Sequence, residues 1–272
     1  MERNDRLALF SRYQEKLSAR ASSLLLSLEK RLDRFMQLWL LVCGLACAAR
    51  IAFNPLHGAA GFATVVPYLL LVLAPFVSMV LALRWFQNSD RMVQPKSRLA
   101  RVRRWRQVDH EMARLHPLYG AGGIMVSLMI GVLLNVPVRA LEFLTAMPAL
   151  AGPIPSWLST LSFLMTLDVV IFSSLYTVTF VAALKRVPLF PRLLATVWIC
   201  DVTMQALIWK IVSQVPELPD AVSAGLQALL EGNMQKVGIS AAVWLPYLLI
   251  SQRVNVTYRH RVLAPSSRAD SV

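Results

Sequence analysis

Six long apolar runs divide the chain, at about residues 36–53, 63–83, 118–136, 158–184, 193–212 and 234–250. Each approaches the ~20 residues a helix needs to cross a hydrocarbon core of about 30 Å. A spanning segment must satisfy its own backbone polar groups, and a helix does so alone. The pattern therefore predicts an all-α fold, a polytopic membrane helix bundle with six transmembrane helices. Trp39, Trp85 and Trp157 fall near run ends, where indole rings favour the membrane interface. Pro75 lies mid-run and predicts a kink in the second span.

Ahead of the first run, Phe10, Tyr13, Leu17, Ala21, Leu24, Leu28, Leu32 and Phe35 recur at spacings of three and four. That period predicts an amphipathic helix over 5–35, lying on the inner leaflet or against the bundle, or serving as a partner-binding arm. The expected organisation is a cytoplasmic amphipathic helix (1–35), a two-span hairpin (36–85), a basic cytoplasmic linker (86–117), a four-span domain (118–262) and a disordered tail (263–272). Only the short VPLFPR turn separates the fourth and fifth runs, so those spans are expected to be antiparallel neighbours. Gly123, Ser127 and Gly131 repeat every four residues and predict a close helix-packing seam. The segment 214–233 is acidic, with Val222, Leu226, Leu229 and Leu230 spaced for a short helix on the outer leaflet.

Charge orients the bundle. Of 28 Lys and Arg, 8 lie in residues 1–35, 9 in 84–117, 3 in 185–192 and 4 after 252. Only Arg50, Arg139, Lys210 and Lys236 fall elsewhere. Basic residues are retained on the cytoplasmic side, so both termini are expected in the cytoplasm of a bacterial inner membrane. The formal net charge of +13 would suit nucleic acid, but such a reader gathers charge on one folded surface. Here the charge alternates with spans, and no nucleic-acid partner is expected. The chain is 56% hydrophobic, and its Cys43, Cys47 and Cys200 all sit in spans with no metal-ligand spacing.

The linker carries Leu99, Val102, Trp105, Val108, Met112 and Leu115 at helical spacing, crowded by Arg98, Arg101, Arg103, Arg104 and Arg106. A basic amphipathic helix bearing Trp105 fits an anionic-lipid surface, each cation contributing on the order of 1 kcal/mol. Topogenic positive charge explains the same residues without any lipid site.

Two carboxylates lie deep in the runs. Asp168 is 11 residues past Trp157 and Asp201 is 9 past Arg192, depths of roughly 16 and 14 Å from opposite interfaces. On neighbouring helices they reach similar levels, and Gln205 is one turn from Asp201. Intramembrane carboxylates cost ~2.5–3.5 kcal/mol each to insert and usually face a bundle interior. Facing each other, they would titrate as a coupled pair, a candidate proton or ion site; otherwise they act as interhelical hydrogen-bonding glue. Asp168 has no polar neighbour one turn away, so its partner must come from another helix. Arg139, Glu142 and Lys210 are expected at the outer span ends, where the two cations bind an anionic headgroup or pair with Glu142, Glu217 or Asp220. The four histidines lie outside the spans, and no H-E-x-x-H, G-x-S-x-G or P-loop pattern occurs.

From the third span onward three stretches stand out: GAGG at 120–123, LKRVPLFPRLL at 184–194, and the closing WLPYLLISQRVNVTYRHR. With these the segment 118–262 resembles the bacterial integral membrane family called domain of unknown function 2569. The closing motif aligns Trp244, Pro246, Tyr247, Ser251, Arg253, Val254 and Thr257, while Gln252 replaces the usual Lys and residues 1–117 have no counterpart. The resemblance implies a four-span domain and carries no catalytic residue. The expectation is a non-enzymatic structural, assembly or lipid- and partner-interacting component without a cofactor. The alternative is a small proton-coupled transporter using Asp168 and Asp201.

Overall fold

A computed structural model describes residues 30–53, 61–89, 92–95, 105–216 and 218–264. The amphipathic helix expected over 5–35 falls almost wholly outside these residues, as do Arg98, Arg101, Arg103, Arg104 and the tail from 265. Leu32 and Phe35 already belong to the first long helix. The described elements are α1 (Leu32–Ala52), α2 (Phe62–Trp85), β1 (Trp105–Gln107), α3 (His110–Arg114), α4 (Ile124–Ala146), α5 (Ser156–Leu184), α6 (Phe190–Val212), α7 (Asp220–Ile250), α8 (Gln252–Arg259) and β2 (Arg261–Leu263).

Five of these helices (α1, α2, α4, α5 and α6) are long and apolar enough to cross a membrane. The bent pair α7–α8 raises the number to six if it is taken as one span. The chain is thus a multi-pass membrane helix bundle. Apolar side chains alone do not hold such helices together, because lipid is equally apolar; packing and buried polar contacts decide which faces meet. The centre is α5: 67% of its apolar window is buried, against 11% for α1. It packs against α2, α4 and α6, and α7 packs on α6. The neighbouring of the fourth and fifth spans follows from the tight turn, as expected.

Several boundaries differ from expectation, each for a local reason. Pro137 does not end the third span; α4 continues nine residues beyond it to Ala146. A proline removes one N–H and crowds one preceding carbonyl, and surrounding helices make that tolerable in a membrane. Likewise α2 runs through Pro67 and Pro75. The acidic outer segment and the sixth run merge into one helix of 31 residues, about 46 Å long. Leu226, Leu230, Asn233 and Val237 are buried along one face of it, which keeps the helix continuous into the bundle. The small-residue seam is not used among the described residues. Gly123 precedes α4 with φ 59°, Ser127 and Gly131 are exposed, and a Cβ at Gly131 would meet nothing.

The basic linker also differs from the expected continuous helix. Trp105, Arg106 and Gln107 form a strand that pairs antiparallel with Leu263, Val262 and Arg261. Only His110–Arg114 is helical after it. Backbone pairing with a distant strand outweighs a local helical period here, a common override in short segments. The same pairing makes Leu263 part of a strand and adds a two-stranded sheet to an otherwise all-α fold.

Between α1, α2 and α4 lies an apolar cavity of about 430 Å³, lined by Trp39, Cys43, Phe76, Met79 and Leu133 among others. Among the described residues its lining carries no charged side chain.

Candidate functional site: a buried arginine between two aspartates

Four helices contribute to one polar centre. On α5, Asp168, Phe172 and Tyr176 are spaced by four and form a single buried stripe. On α6, Asp201 and Gln205 are one turn apart and buried. Between them stands Arg139 of α4, only 7% exposed. Its Nη1 donates to Asp168 Oδ2 at 2.7 Å, and its Nη2 donates to Asp201 Oδ1. Tyr176 Oη donates to Asp201 Oδ2 at 2.7 Å. Gln205 Nε2 donates to Asp168 Oδ1 at 2.9 Å and, more weakly, to Asp201 Oδ1 at 3.4 Å. The guanidinium carbon also lies 4.9 Å from the Phe172 ring centre and 5.9 Å from that of Tyr176. The planar fork of arginine suits this task, since its two arms reach different carboxylates while its face rests on aromatic rings.

The expectation for Arg139 is therefore corrected. Among the described residues it pairs with Asp168 and Asp201 rather than with Glu142 or Asp220, because α4 carries it past Pro137 into the bundle, while Glu217 lies outside the described residues. Asp168 and Asp201, whose facing each other the sequence left open, meet through the intervening guanidinium. Glu142 instead pairs with Lys236 of α7. Lys236 Nζ also donates to Asn233 Oδ1 at 3.2 Å, and Asn233 Nδ2 reaches Gln205 Oε1 at 3.5 Å. A polar string thus links the buried centre to Lys236, whose side chain is 58% exposed. Tyr176 and Asn233 escaped the sequence reading. The spacing from Asp168 to Tyr176 along one helix face was the available signal for the first.

Two carboxylates against one guanidinium leave one formal negative charge in excess. Burying such ions is costly unless geometry and hydrogen bonds compensate. Here each of the four carboxylate oxygens accepts at least one hydrogen bond from this chain's own side chains.

A second cluster forms where α8 folds back on the bundle, after a bend of 72° from α7. Ser251 caps α8 by accepting from Val254 N at 3.5 Å. Thr257 Oγ1 accepts from Gly120 N at 3.0 Å, and Arg253 Nη1 donates to Gly120 O at 3.3 Å. Gly120 holds φ 98°, a conformation that favours glycine, at this close approach. Tyr258 Oη donates to Ala183 O at 2.8 Å, and its ring lies 4.9 Å from that of Phe190. Trp244 and Tyr247 meet edge-on at 5.9 Å. The closing stretch therefore touches GAGG through Gly120 and LKRVPLFPRLL through Phe190, at one end of the bundle.

At the same end His260 Nε2 and His110 Nδ1 are 3.2 Å apart, and Gln94 Nε2 is 3.3 Å from His260 Nδ1. With the Gln94 amide donating, His260 Nδ1 accepts and its Nε2–H donates to His110. That companionship between histidines 150 residues apart was invisible in the sequence. Trp105 and Arg106 lie on β1, so they do not form the lipid-facing helix expected of them. Among the described residues no group of three or more His, Cys, Asp or Glu is arranged to hold a metal ion. Comparisons with family models, with curated proteins and with solved structures find no match to this chain.

Proposed function

We propose that this chain is a non-enzymatic, six-span component of a bacterial inner membrane, with both termini in the cytoplasm, which acts by holding lipid or protein partners. In this reading the Arg139–Asp168–Asp201 centre is a lock that fixes α4, α5, α6 and α7 relative to one another. The observation that carries it is that each of the four carboxylate oxygens is already engaged by Arg139, Tyr176 or Gln205. A transported ion or substrate needs vacant ligands, and these oxygens are occupied. The orientation draws support from the basic segments, and the sixth span from the α7–α8 pair. Epitope tags at the two ends should react only after the inner membrane is permeabilised. Reaction of either tag from the periplasmic side overturns the topology.

One observation favours a second reading, a proton-coupled carrier. The centre holds one excess negative charge and connects through Gln205, Asn233 and Lys236 to the surface. Proteoliposomes carrying a pH-sensitive dye separate the two. The lock predicts that an imposed pH gradient decays at the same rate with native protein as with Asp168→Asn. A faster decay that Asp168→Asn abolishes, with unchanged folded yield, transfers the assignment to the carrier.

A further inference from the structure

The apolar cavity between α1, α2 and α4 opens sideways from the bundle. Its rim is exposed at Leu38 and Val42 of α1 and at Leu134 and Leu141 of α4. Its floor is buried at Cys43, Pro75, Val136, Ala140 and Thr177. We propose that it holds one acyl chain of an anionic phospholipid, whose head rests on the basic start of α1 at Arg31 and Arg34.

The space exists because small side chains surround much of it. Cys43, Ala46, Pro75, Pro137, Ala140 and Thr177 all line it, and none reaches far enough to fill it. The indole N–H and the hydroxyl in the lining are already engaged. Trp39 Nε1 donates to Val72 O at 3.0 Å, and Thr177 Oγ1 donates to Ser173 O at 2.7 Å. Water needs several polar partners to occupy such a space, and these walls do not supply them. An unfilled space of about 430 Å³ leaves its lining without contacts on one side, which favours an apolar occupant.

Its dimensions choose the occupant. The lining runs from residue 35 to 46 on α1 and from 133 to 144 on α4, roughly 16 Å of helix in each case. A volume of about 430 Å³ over that length gives a mean cross-section of about 26 Å². A hydrocarbon chain roughly 4–5 Å wide fits, given carbon contacts near 4 Å. An α-helix with its side chains is roughly 10 Å wide and takes about three times that section, so a partner helix does not fit. Charge places the head. The lining stripe of α1 (Phe35, Leu38, Val42, Ala46) continues one turn towards the helix start to Arg31 and Arg34, both exposed. Residues 30–34 carry three cations against Asp33 alone. Cations there favour an anionic head over a neutral one, and arginine engages phosphate oxygens in pairs.

The inference rests on the lipid-holding reading above, for which it names the lipid, and not on the six-span topology. The full chain in detergent is titrated with phosphatidylglycerol or phosphatidylcholine, and native mass spectrometry counts the lipid bound per chain. One phosphatidylglycerol should be retained at concentrations where phosphatidylcholine is not. Half-saturation should weaken by about tenfold in Ala46→Phe, which fills the space, and in the double variant Arg31→Gln with Arg34→Gln, which removes the head contacts. Ile239→Phe on the exposed face of α7 and Lys210→Gln should match the native chain. The arginine variant changes only exposed side chains, so it reads the site even where Ala46→Phe lowers the folded yield. Equal retention of the two lipids overturns the site, as does an equal loss in either control, which marks a general lipid belt. Loss in Ala46→Phe without loss in the arginine variant overturns the head assignment, and the converse overturns the seat of the chain. Neither the tag result nor the pH-gradient result alters the lipid count, so the two proposals fail separately.

Discussion

Arg139→Gln should lower the unfolding free energy of the purified protein by about 3–5 kcal/mol, the cost typical of removing one partner from a buried ion pair. The reason is charge balance at a site with almost no water. The native centre sets one cation against two carboxylates. Removing Arg139 leaves two buried carboxylates with nothing to compensate them. Asp168→Asn acts in the opposite sense. It leaves Arg139 facing Asp201 one to one, and the substituted side-chain amide retains an oxygen that can accept from Arg139. That variant should stay within about 1 kcal/mol of native, near the size of one net hydrogen bond. Asp201→Asn should cost more than Asp168→Asn, because Asp201 also accepts from Tyr176. The double variant with both aspartates changed to Asn strands a buried guanidinium and should again fall by about 3–5 kcal/mol. The costs are therefore strongly non-additive, as expected for groups sharing one partner. Denaturation in mixed micelles across the four variants checks the order. Equal, additive losses from the two single Asn variants would mean that charge balance does not govern the site.

The second large effect concerns α8. Tyr258→Ala should cost about 3–5 kcal/mol, the range for removing a fully buried aromatic ring. Tyr258 is 1% exposed and stacks near Phe190, so the substitution opens a void where α8 meets the α5–α6 turn. Its hydroxyl donates to a carbonyl in the last turn of α5, where helical carbonyls lack an intrahelical partner. Arg186 N donates to the same carbonyl at 3.2 Å, so Tyr258→Phe loses one of two donors. That milder variant should cost about 1 kcal/mol. Limited proteolysis reads the difference: Tyr258→Ala should expose the chain after Ile250 to cleavage while the apolar helices stay protected. Native-like resistance in Tyr258→Ala would remove α8 docking from the account of this end.

The sequence carried the helical architecture because membrane-length apolar runs admit few alternatives. It placed Asp168 and Asp201 at similar depth on neighbouring helices but left open whether they face each other, since depth does not fix the rotation of a helix about its axis. What it hid follows from two physical facts. A proline in a membrane helix is a poor stop signal, so ending the third span at Pro137 placed Arg139 outside the core and concealed the central cation. Long-range strand pairing leaves no periodic trace, so Trp105–Gln107 read as helix while its partner strand Arg261–Leu263 read partly as tail. Small residues at regular spacing misled in the other direction, since Ser127 and Gly131 face away from every described helix contact.

The clasp between β1 and β2 has a mechanical meaning. From Trp105 to Leu263 the chain leaves one place, traverses four long helices and returns to hydrogen-bond with its own starting point. That portion is tied off like a drawn purse. The stretch that leads into the clasp is fastened there too, since Gln94 lies 3.3 Å from His260, the residue before β2.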